Sequence, residues 1–557
     1  MCDKLKQVLP DIISPTQGAF VAGRSILHNV MIFQDIIKSY TRGNAKPSCV
    51  MKLDLKKAYD TVEWGFIEEV MKKFGFPHHF IQLVMTCLTT TQYSLLINGV
   101  PSPLIQPKRG LRHGDPLSPP LLSTLYMEYF SRIMKLIASH RNFKHHSRCK
   151  RVNLNHLCFA DDLLLFCHGD VTSFQLMLEG LTLFSSSTGL QVNPSKSSIY
   201  FCGFSAHAKN IITGLSGYNI DNFPFRYLGV PISPKKIQLG DCNLLMEKMV
   251  YRIKVWSSRH FSFAWRMQLV NSVLMSISVY WCQLFLLPST IIKKINAICR
   301  SYLWFGVYDD GTPGSVNWDK LCDSKEQGGL GFRNLALWNQ AAVGKLAWAI
   351  EQKQDNLWVK WIHALYVKNK NWQLFSPSLA SSWPVKHICK VKGMCTEKLN
   401  GSSWLTTSKY SIKSMYIKLC TPSERTQWAR YIWNRLSVPK HRFSLWLALL
   451  DRHKTKSRLY QYGISTDNLC AICGSAPETS THLFFDCFYS LGCLTEIADW
   501  LGLSCTRKNV IQILNWTRRY CKSAFKRKII MLLLQDWFMQ FGELEILQFG
   551  KGQCQLL

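Results

Sequence analysis

The sequence predicts an α+β fold, and three stretches carry that prediction. Residues 48–55, SCVMKLDL, alternate so that Met51, Leu53 and Leu55 share one face while Val50, Lys52 and Asp54 share the other, which is the two-residue period of a strand. From Phe66 the period changes: Phe66, Ile67, Val70, Met71 and Phe74 recur at helical spacing until Gly75 and Pro77 stop the run. His156 to His168, HLCFADDLLLFCH, reads as strand, tight turn, strand, with Asp161 and Asp162 at the turn.

The first strand ends by presenting the carboxylate of Asp54. Asp60 and Glu63 then stand where a capping box would open the helix, so capping and a site role are both open to Asp60. Residues 107–120, PKRGLRHGDPLSPP, form a basic, glycine-bearing loop that leads into an apolar helix through Leu121, Leu125, Met127 and Phe130. Such a loop can receive phosphate through exposed amides and charge, or be no more than a loop. Residues 139–151, SHRNFKHHSRCKR, offer a surface for a phosphate backbone or a solvated connection. At the Asp161–Asp162 turn, two unpaired carboxylates would be costly to bury, and each raises the pKa of the other. Either the turn is solvated or a divalent cation compensates it.

From about 236 to 345 the pattern is helical and Trp-rich, and 346–409, with irregular polarity, reads as a connector. Met267 to Ile292 carries no charge, but Asn271, Ser272, Ser276, Ser278, Gln283 and Pro288 interrupt it, so a buried helical hairpin is expected rather than a membrane span.

The chain has 557 residues, room for several domains of ~100 to 200 residues. Its 67 Lys and Arg against 35 Asp and Glu give a formal charge of +32, which points to a polyanionic partner. Nucleic acid fits better than an anionic membrane surface, because the charge is spread along the chain instead of gathered on one amphipathic helix. With 19 Trp and 30 Phe the chain is globular rather than a disordered basic tail. Its 21 cysteines lack framework spacing and Met1 to Lys6 carries no secretory signal, so a reducing cytosolic or nuclear setting is expected.

Cys470, Cys473, His482 and Cys487 are spaced Cys-x2-Cys-x8-His-x4-Cys, and Gly474 permits the tight turn of a knuckle. Four ligands leave no open coordination position, so the expected zinc site is structural, with scattered buried thiols as the plainer reading.

Six segments, QGAFVAGRSILHN, KLDLKKAYDTVEW, RGLRHGDPLSP, FADD, GLQVNPSKS and YLGVPI, occur in the order found in the reverse transcriptases of plant non-LTR (LINE-type) retrotransposons. The chain resembles that family from about Gln17 to Cys487, its end resembling the zinc-binding region that follows the polymerase. The resemblance implies a right-hand polymerase: truncated fingers and palm over 1–235, a helical thumb-like region over 236–345, a connector over 346–409, a zinc-binding module over 410–495 and a basic helical tail over 496–557. It implies RNA-directed DNA polymerase activity by two-metal nucleotidyl transfer, with an RNA template, a DNA primer and deoxynucleoside triphosphates as partners. Asp54 and Asp161 are then ligands of two Mg²⁺ ions, with Asp162 as a supporting carboxylate. Tyr59 matches the sugar gate that excludes a ribose 2′-hydroxyl. Arg109, Gly110, His113 and Gly114 match the loop that approaches nucleotide and template, with His113 where relatives carry Gln. Lys196 matches the lysine placed to neutralise or protonate pyrophosphate.

The resemblance also implies that Met1 falls inside the family's amino-terminal region, so that finger contacts to triphosphate and an endonuclease would lie upstream. After Cys487 no carboxylate pattern points to ribonuclease H. The competing functions are a catalytically silent remnant that binds nucleic acid by charge and zinc, and a zinc-dependent interaction module on a polymerase scaffold. Residues 507–528 interleave Arg507, Lys508, Arg518, Arg519, Lys522, Lys526, Arg527 and Lys528 with Trp516, Tyr520 and Phe525, suited to nucleic acid or to an amphipathic surface helix. The nucleus is the expected compartment, since copying into chromosomal DNA would occur there.

Overall fold

In the computed structural model the alternating run Ser48–Asp54 is strand β1, followed in chain order by β2 (Leu96–Ile97), β3 (Val100–Pro101), β4 (His156–Phe159), β5 (Asp162–His168), β6 (Ser198–Cys202), β7 (Asn219–Ile220), β8 (Phe225–Tyr227) and β9 (Val230–Ile232). The structure describes residues 1–41, 45–257, 261–309, 314–401, 403–420, 424–433, 436–500 and 509–550. They fall into two units: Met1–Cys242 with Trp281–Pro288 and Asn339–Leu419, and Asn243–Tyr280 with Ser289–Trp338 and Cys420–Leu557.

In the first unit the strands β4-β5-β1-β6-β7 form one sheet, antiparallel except where β7 runs beside β6, while β2-β3 and β8-β9 are small separate pairs. β1 occupies the centre because both of its faces are apolar enough to be covered. Cys49, Met51 and Leu53 join a core with Phe130 and Met134 of the helix Met127–Ser139 and with Phe174, Met177 and Phe184 of the helix Val171–Thr188. On the other face Phe166 of β5, opposite Val50, meets Phe33 of the helix Ile26–Ile36, whose ring lies 5.6 Å from Phe225 and 5.7 Å from Tyr227. Each such fully buried side chain contributes roughly 1.5–3 kcal/mol of transfer free energy. The helix expected after β1 spans Trp64–Lys73, and Gly75 takes φ +77° just beyond it.

The structure adds detail to three expectations. Within residues 346–409, read as a connector, the chain is helical and packed: the helices Leu335–Glu351, Leu357–Ile362 and Trp383–Lys398 belong largely to the first unit and bury Trp358, Trp361 and Trp372. Lysines and asparagines between the indoles had blurred the helical period. The basic run 139–151 is only partly solvated, because His146 and Cys149 are buried and Arg148 points inward. Most residues of the expected helical thumb-like region, Asn243–Tyr280 and Ser289–Trp338, share the second unit with most of the zinc-binding region. There Phe263 stacks on Phe443 at 5.2 Å, and the Trp446 indole donates to the Gly328 carbonyl at 2.9 Å. Rings of that size on the helix Pro439–Leu449 need apolar cover that a small module does not supply. No described helix is long and apolar enough to cross a membrane.

A buried ionic cluster ties the first unit together. Asp35 accepts hydrogen bonds from Arg148, from the Tyr366 hydroxyl and, at 2.7 Å, from the Trp361 indole. Burial pushes the Asp35 carboxyl up, but Arg148, Ser382 and Tyr366 outweigh it and hold it below the usual range. Removing one partner leaves the other charge buried and uncompensated, so Arg148→Met is expected to cost ~3–5 kcal/mol in denaturant unfolding followed by Trp fluorescence. Asp35→Leu combined with Arg148→Met should lose less than the sum of the single variants.

Two fully buried imidazoles set an acid limit. His146 is pushed down to about 3 by burial and then by Arg148 and His168; His156, bonded to Thr16 at 2.9 Å, is pushed down to about 3 by burial and then by Lys135. The unfolded chain takes up these protons near pH 6.5 while the folded chain refuses them to about pH 3, so the stability is present above pH 6.5 and is lost as pH falls below it. Each group should add a slope of up to about 1.4 kcal/mol per pH unit between pH 6 and 4, and His156→Gln should remove one of the two.

Candidate active site and metal centre

The register of two strands assembles the carboxylates. β1 and β5 run antiparallel with Asp54 directly opposite Asp162, a pairing that sets the two Cα atoms ~4.5–5.5 Å apart. β4 and β5 pair up to Phe159 and Asp162, so the hairpin turns on Ala160 and Asp161 alone. Ala160 takes φ +55°, an uncommon backbone state for a residue with a side chain, and one found at functional turns. Three acidic side chains thus collect at one end of two adjacent strands. The Asp162 carboxyl is pushed up to about 6, first by burial and then by Asp161, with Lys52 opposing and Asp54 adding to the shift.

The end of β1 is clamped by the segment Gly189–Ser197. Lys56 N–H donates to Gln191 at 2.8 Å, Asn193 N–H to the Asp54 carbonyl at 2.8 Å, and Asp54 N–H to the Ser197 hydroxyl at 3.3 Å. This wrapping brings the Lys196 ammonium 3.9 Å from Asp54 Oδ2, with the lysine still mostly exposed.

The basic loop is strapped to the residues that follow β1. Gly110 donates to the Val62 carbonyl at 2.8 Å, Leu111 to that of Tyr59 at 2.6 Å, and the Trp64 indole to that of Gly110 at 2.7 Å. Gly110 has φ +92°, and a Cβ there would lie 2.9 Å from the Asp60 carbonyl oxygen, so position 110 requires glycine. Gly114 also has positive φ, at +84°. The His113 ring lies 4.9 Å from that of Tyr59, with Nε2 3.5 Å from Asp60, and Arg109 pairs with Glu63 at 3.6 Å. Of the two readings left open for Asp60, the capping box is not formed: the helix starts at Trp64 with Glu63 as its N-cap and no side-chain cap bond, and Asp60 faces His113 instead. Tyr59, Arg109, Gly110 and His113 therefore meet in one strapped loop, and Lys196 joins the carboxylates.

The second centre is sulfur-rich. The ligand atoms of Cys470, Cys473, His482 and Cys487 all lie within 4.8 Å of one another, and among the described residues no other group of three or more His, Cys, Asp or Glu draws as close. Zinc with Zn–S bonds of ~2.3 Å places tetrahedral ligands roughly 3.7 Å apart, so three thiols and an imidazole at this span fit it. Cys470 N–H donates to the Ala476 carbonyl and Gly474 N–H to that of Cys470, both at 2.8 Å, with Gly474 at φ +65° closing the knuckle. Ser475 donates to Cys473 at 3.1 Å and is the main reason that thiol is pushed down to about 6, whereas burial pushes Cys470 up to about 11.

The part Lys52 plays beside Asp162, and Glu478 altogether, escaped the reading of the sequence. Lys52 shares the face of Asp54, a placement that strand alternation already contained. Glu478 is buried and accepts from Ala471 N–H at 2.8 Å and Lys456 N–H at 2.9 Å, fixing the knuckle from behind. Its only signal was a lone acid inside the Cys-x8-His spacer.

Residues 1–232 match the family described as reverse transcriptase (RNA-dependent DNA polymerase), and residues 410–493 match zinc-binding in reverse transcriptase. An Arabidopsis thaliana protein provisionally named as a ribonuclease H protein is 28% identical over 158 residues, 28% of this chain and 26% of that one. The uncharacterized 149 kDa protein of transposon TX1 from Xenopus laevis is 26% identical over 314 residues, 54% of this chain and 23% of that one. The retrovirus-related Pol polyprotein from type-2 retrotransposable element R2DM of Drosophila melanogaster is 28% identical over 182 residues, 33% of this chain and 16% of that one. The chain spans about a quarter or less of these relatives' length.

The purified chain should carry one zinc per molecule by metal analysis. Cys470→Ser or a strong chelator should release it and lower the melting temperature of the second unit, because the metal binds only the folded knuckle. Unchanged melting on complete zinc removal would contradict a structural role.

Proposed function

We propose, for a chain that belongs to the reverse transcriptase family over residues 1–232 and to its associated zinc-binding region over residues 410–493, that it copies RNA into DNA. The observation that carries this reading is the β1–β5 register that sets Asp54 opposite Asp162, with Asp161 in the two-residue turn. Three hard oxygen donors gathered in this way suit a cation that prefers oxygen ligands. Asp54, Asp161 and Asp162 would hold two Mg²⁺ ions, which when bound lower the pKa of a primer 3′-hydroxyl and neutralise the leaving pyrophosphate.

The chain's own groups do the positioning. Burial and Asp161 push Asp162 up to about 6, a cost that a bound cation, favouring the carboxylate form, would offset. Lys196, exposed beside Asp54, places a positive charge where a triphosphate would enter. Tyr59, held against His113, presents a ring that bars a ribose 2′-hydroxyl. Gly110 and Gly114 keep the loop backbone bare for close approach by nucleotide and template, and Arg109, half exposed, can exchange Glu63 for phosphate. In this reading the five-stranded sheet is the palm, the segments before it and between its strands are the fingers, and the helices Asn243–Ser257 and Ser289–Phe305 act as the thumb. The substrates are an RNA template, a DNA primer and deoxynucleoside triphosphates, and the compartment is the nucleus.

Primer extension on a pre-annealed RNA template with Mg²⁺ tests the proposal. The wild-type chain should extend the primer, and Asp161→Ala should lose on the order of 10³-fold in rate, matching the several kcal/mol of charge stabilisation that a metal clamp supplies. Equal silence of both proteins would refute polymerase activity and leave a nucleic-acid-binding remnant.

A further inference from the structure

The basic tail lies beyond the region matched at 410–493, and the function proposed above makes no use of it. Arg507 and Lys508 lie outside the described residues; the remainder forms a helical corner. The helix Val510–Tyr520 starts at Asn509, whose side chain accepts from Gln512 N–H at 2.8 Å, and it turns its apolar side inward through Val510, Ile513, Leu514 and Thr517. After Cys521–Ser523 the helix Ala524–Gly550 begins, with Arg527 N–H donating to the Ser523 carbonyl at 3.1 Å. Further along, that helix buries Ile530, Met531, Leu534 and Phe538, and the Phe538 carbonyl accepts from the Ser444 hydroxyl at 2.9 Å. Both arms are thus anchored and the corner between them has a fixed outer side.

That outer side is unusual in two ways. Residues 509–535 contain six Lys and Arg and no Asp or Glu, and among the described residues none of the six is in an ion pair. Arg518, Arg519, Lys522, Lys526 and Lys528 are exposed. Lys526, Arg527 and Lys528 also crowd the first turns of a helix, the end where the backbone dipole already repels cations. Set among these charges are two large exposed rings, Tyr520 at 64% and Phe525 at 73%, with Trp516 5.8 Å from Tyr520.

We propose that this corner is a binding surface for single-stranded nucleic acid, its cations tracking the backbone and its rings stacking on unpaired bases. It rests on the function proposed above for the identity of the polyanion. Charge complementarity requires an anion, and exposed rings between cations are what bases with free faces recognise. An anionic bilayer fits less well, because the apolar side that a helix would insert is already spent on the protein interior.

The test uses the full zinc-loaded chain and a fluorescent 20-nucleotide unstructured RNA, with a duplex of equal length as comparison, each titrated at several salt concentrations. Neutralising Arg518, Arg519, Lys522 and Lys526 to Gln together should flatten the salt slope by ~2 to 3, as ~0.7 is lost per phosphate contact. Tyr520→Ala with Phe525→Ala should weaken the single strand by ~30-fold or more with the slope kept, and the duplex far less. Unchanged affinity and slope in both variants would overturn the proposal, as would equal weakening of single strand and duplex by the ring variant. So would rings required for binding vesicles of 30% phosphatidylserine but not RNA. Extension of a saturating pre-annealed primer, expected to be unaltered in both variants, keeps the outcome separate: tail binding can hold where polymerisation fails, and the reverse.

Discussion

The pairing of β1 with β5 in a single register is the constraint on which the candidate site depends. Side chains alternate along a strand, so a slip of one residue would carry Lys52 and Asp54 to the face of Met51 and Leu53 and separate Asp54 from Asp162. Both faces oppose such a slip. On one, Cys49, Met51 and Leu53 are locked among the rings of Phe130, Phe174 and Phe184; on the other, Phe166 and Phe33 fill the space beside Val50. The apolar layers thus fix where the charges stand, although no apolar side chain takes part in the chemistry proposed for them.

The cost of gathering acids is met locally. Asp162 carries it as a raised pKa, while Lys52 on the same face and Lys196 beside Asp54 offset part of it. The same economy of short links appears in the glycine loop. Three hydrogen bonds tie Gly110 and Leu111 to the chain between Tyr59 and Trp64, so the loop's position follows from that of β1. These backbone and indole bonds are little affected by salt, unlike the exposed pairs Arg109–Glu63 and His113–Asp60 that lie beside them.

Much of this was legible in the residues. The alternation at 48–55, the helical period after Phe66 and the strand-turn-strand around Asp161 all appear as elements, because burial, on both faces of the strands and one face of the helix, follows the apolar residues that make each pattern. The zinc spacing was legible for a related reason: a knuckle brings ligands together through local chain geometry, so sequence distance stands in for spatial distance. Long-range partnership left no such trace. Arg148 looked like one cation among many in a basic run, and only the fold supplies Asp35, Trp361 and Tyr366 around it. The packing of 346–409 left no trace for the same reason, since indoles bonded to distant acceptors do not follow a simple apolar period.

The two candidate metal centres differ in how far the protein alone prepares them. At the knuckle, Gly474, Glu478 and the Cys470–Ala476 bond draw four ligand atoms within 4.8 Å, a span set by local backbone and therefore largely independent of the rest of the chain. At the sheet end, the donors come from residues more than a hundred positions apart, and one of them resists ionisation. Closed soft-donor geometry suits a cation that stays, whereas open hard-oxygen geometry suits cations that arrive with a charged substrate and leave with its product. Under the proposed function, fold stability and turnover would therefore draw on different metals in the same chain, the first held by a short loop and the second dependent on the sheet as a whole.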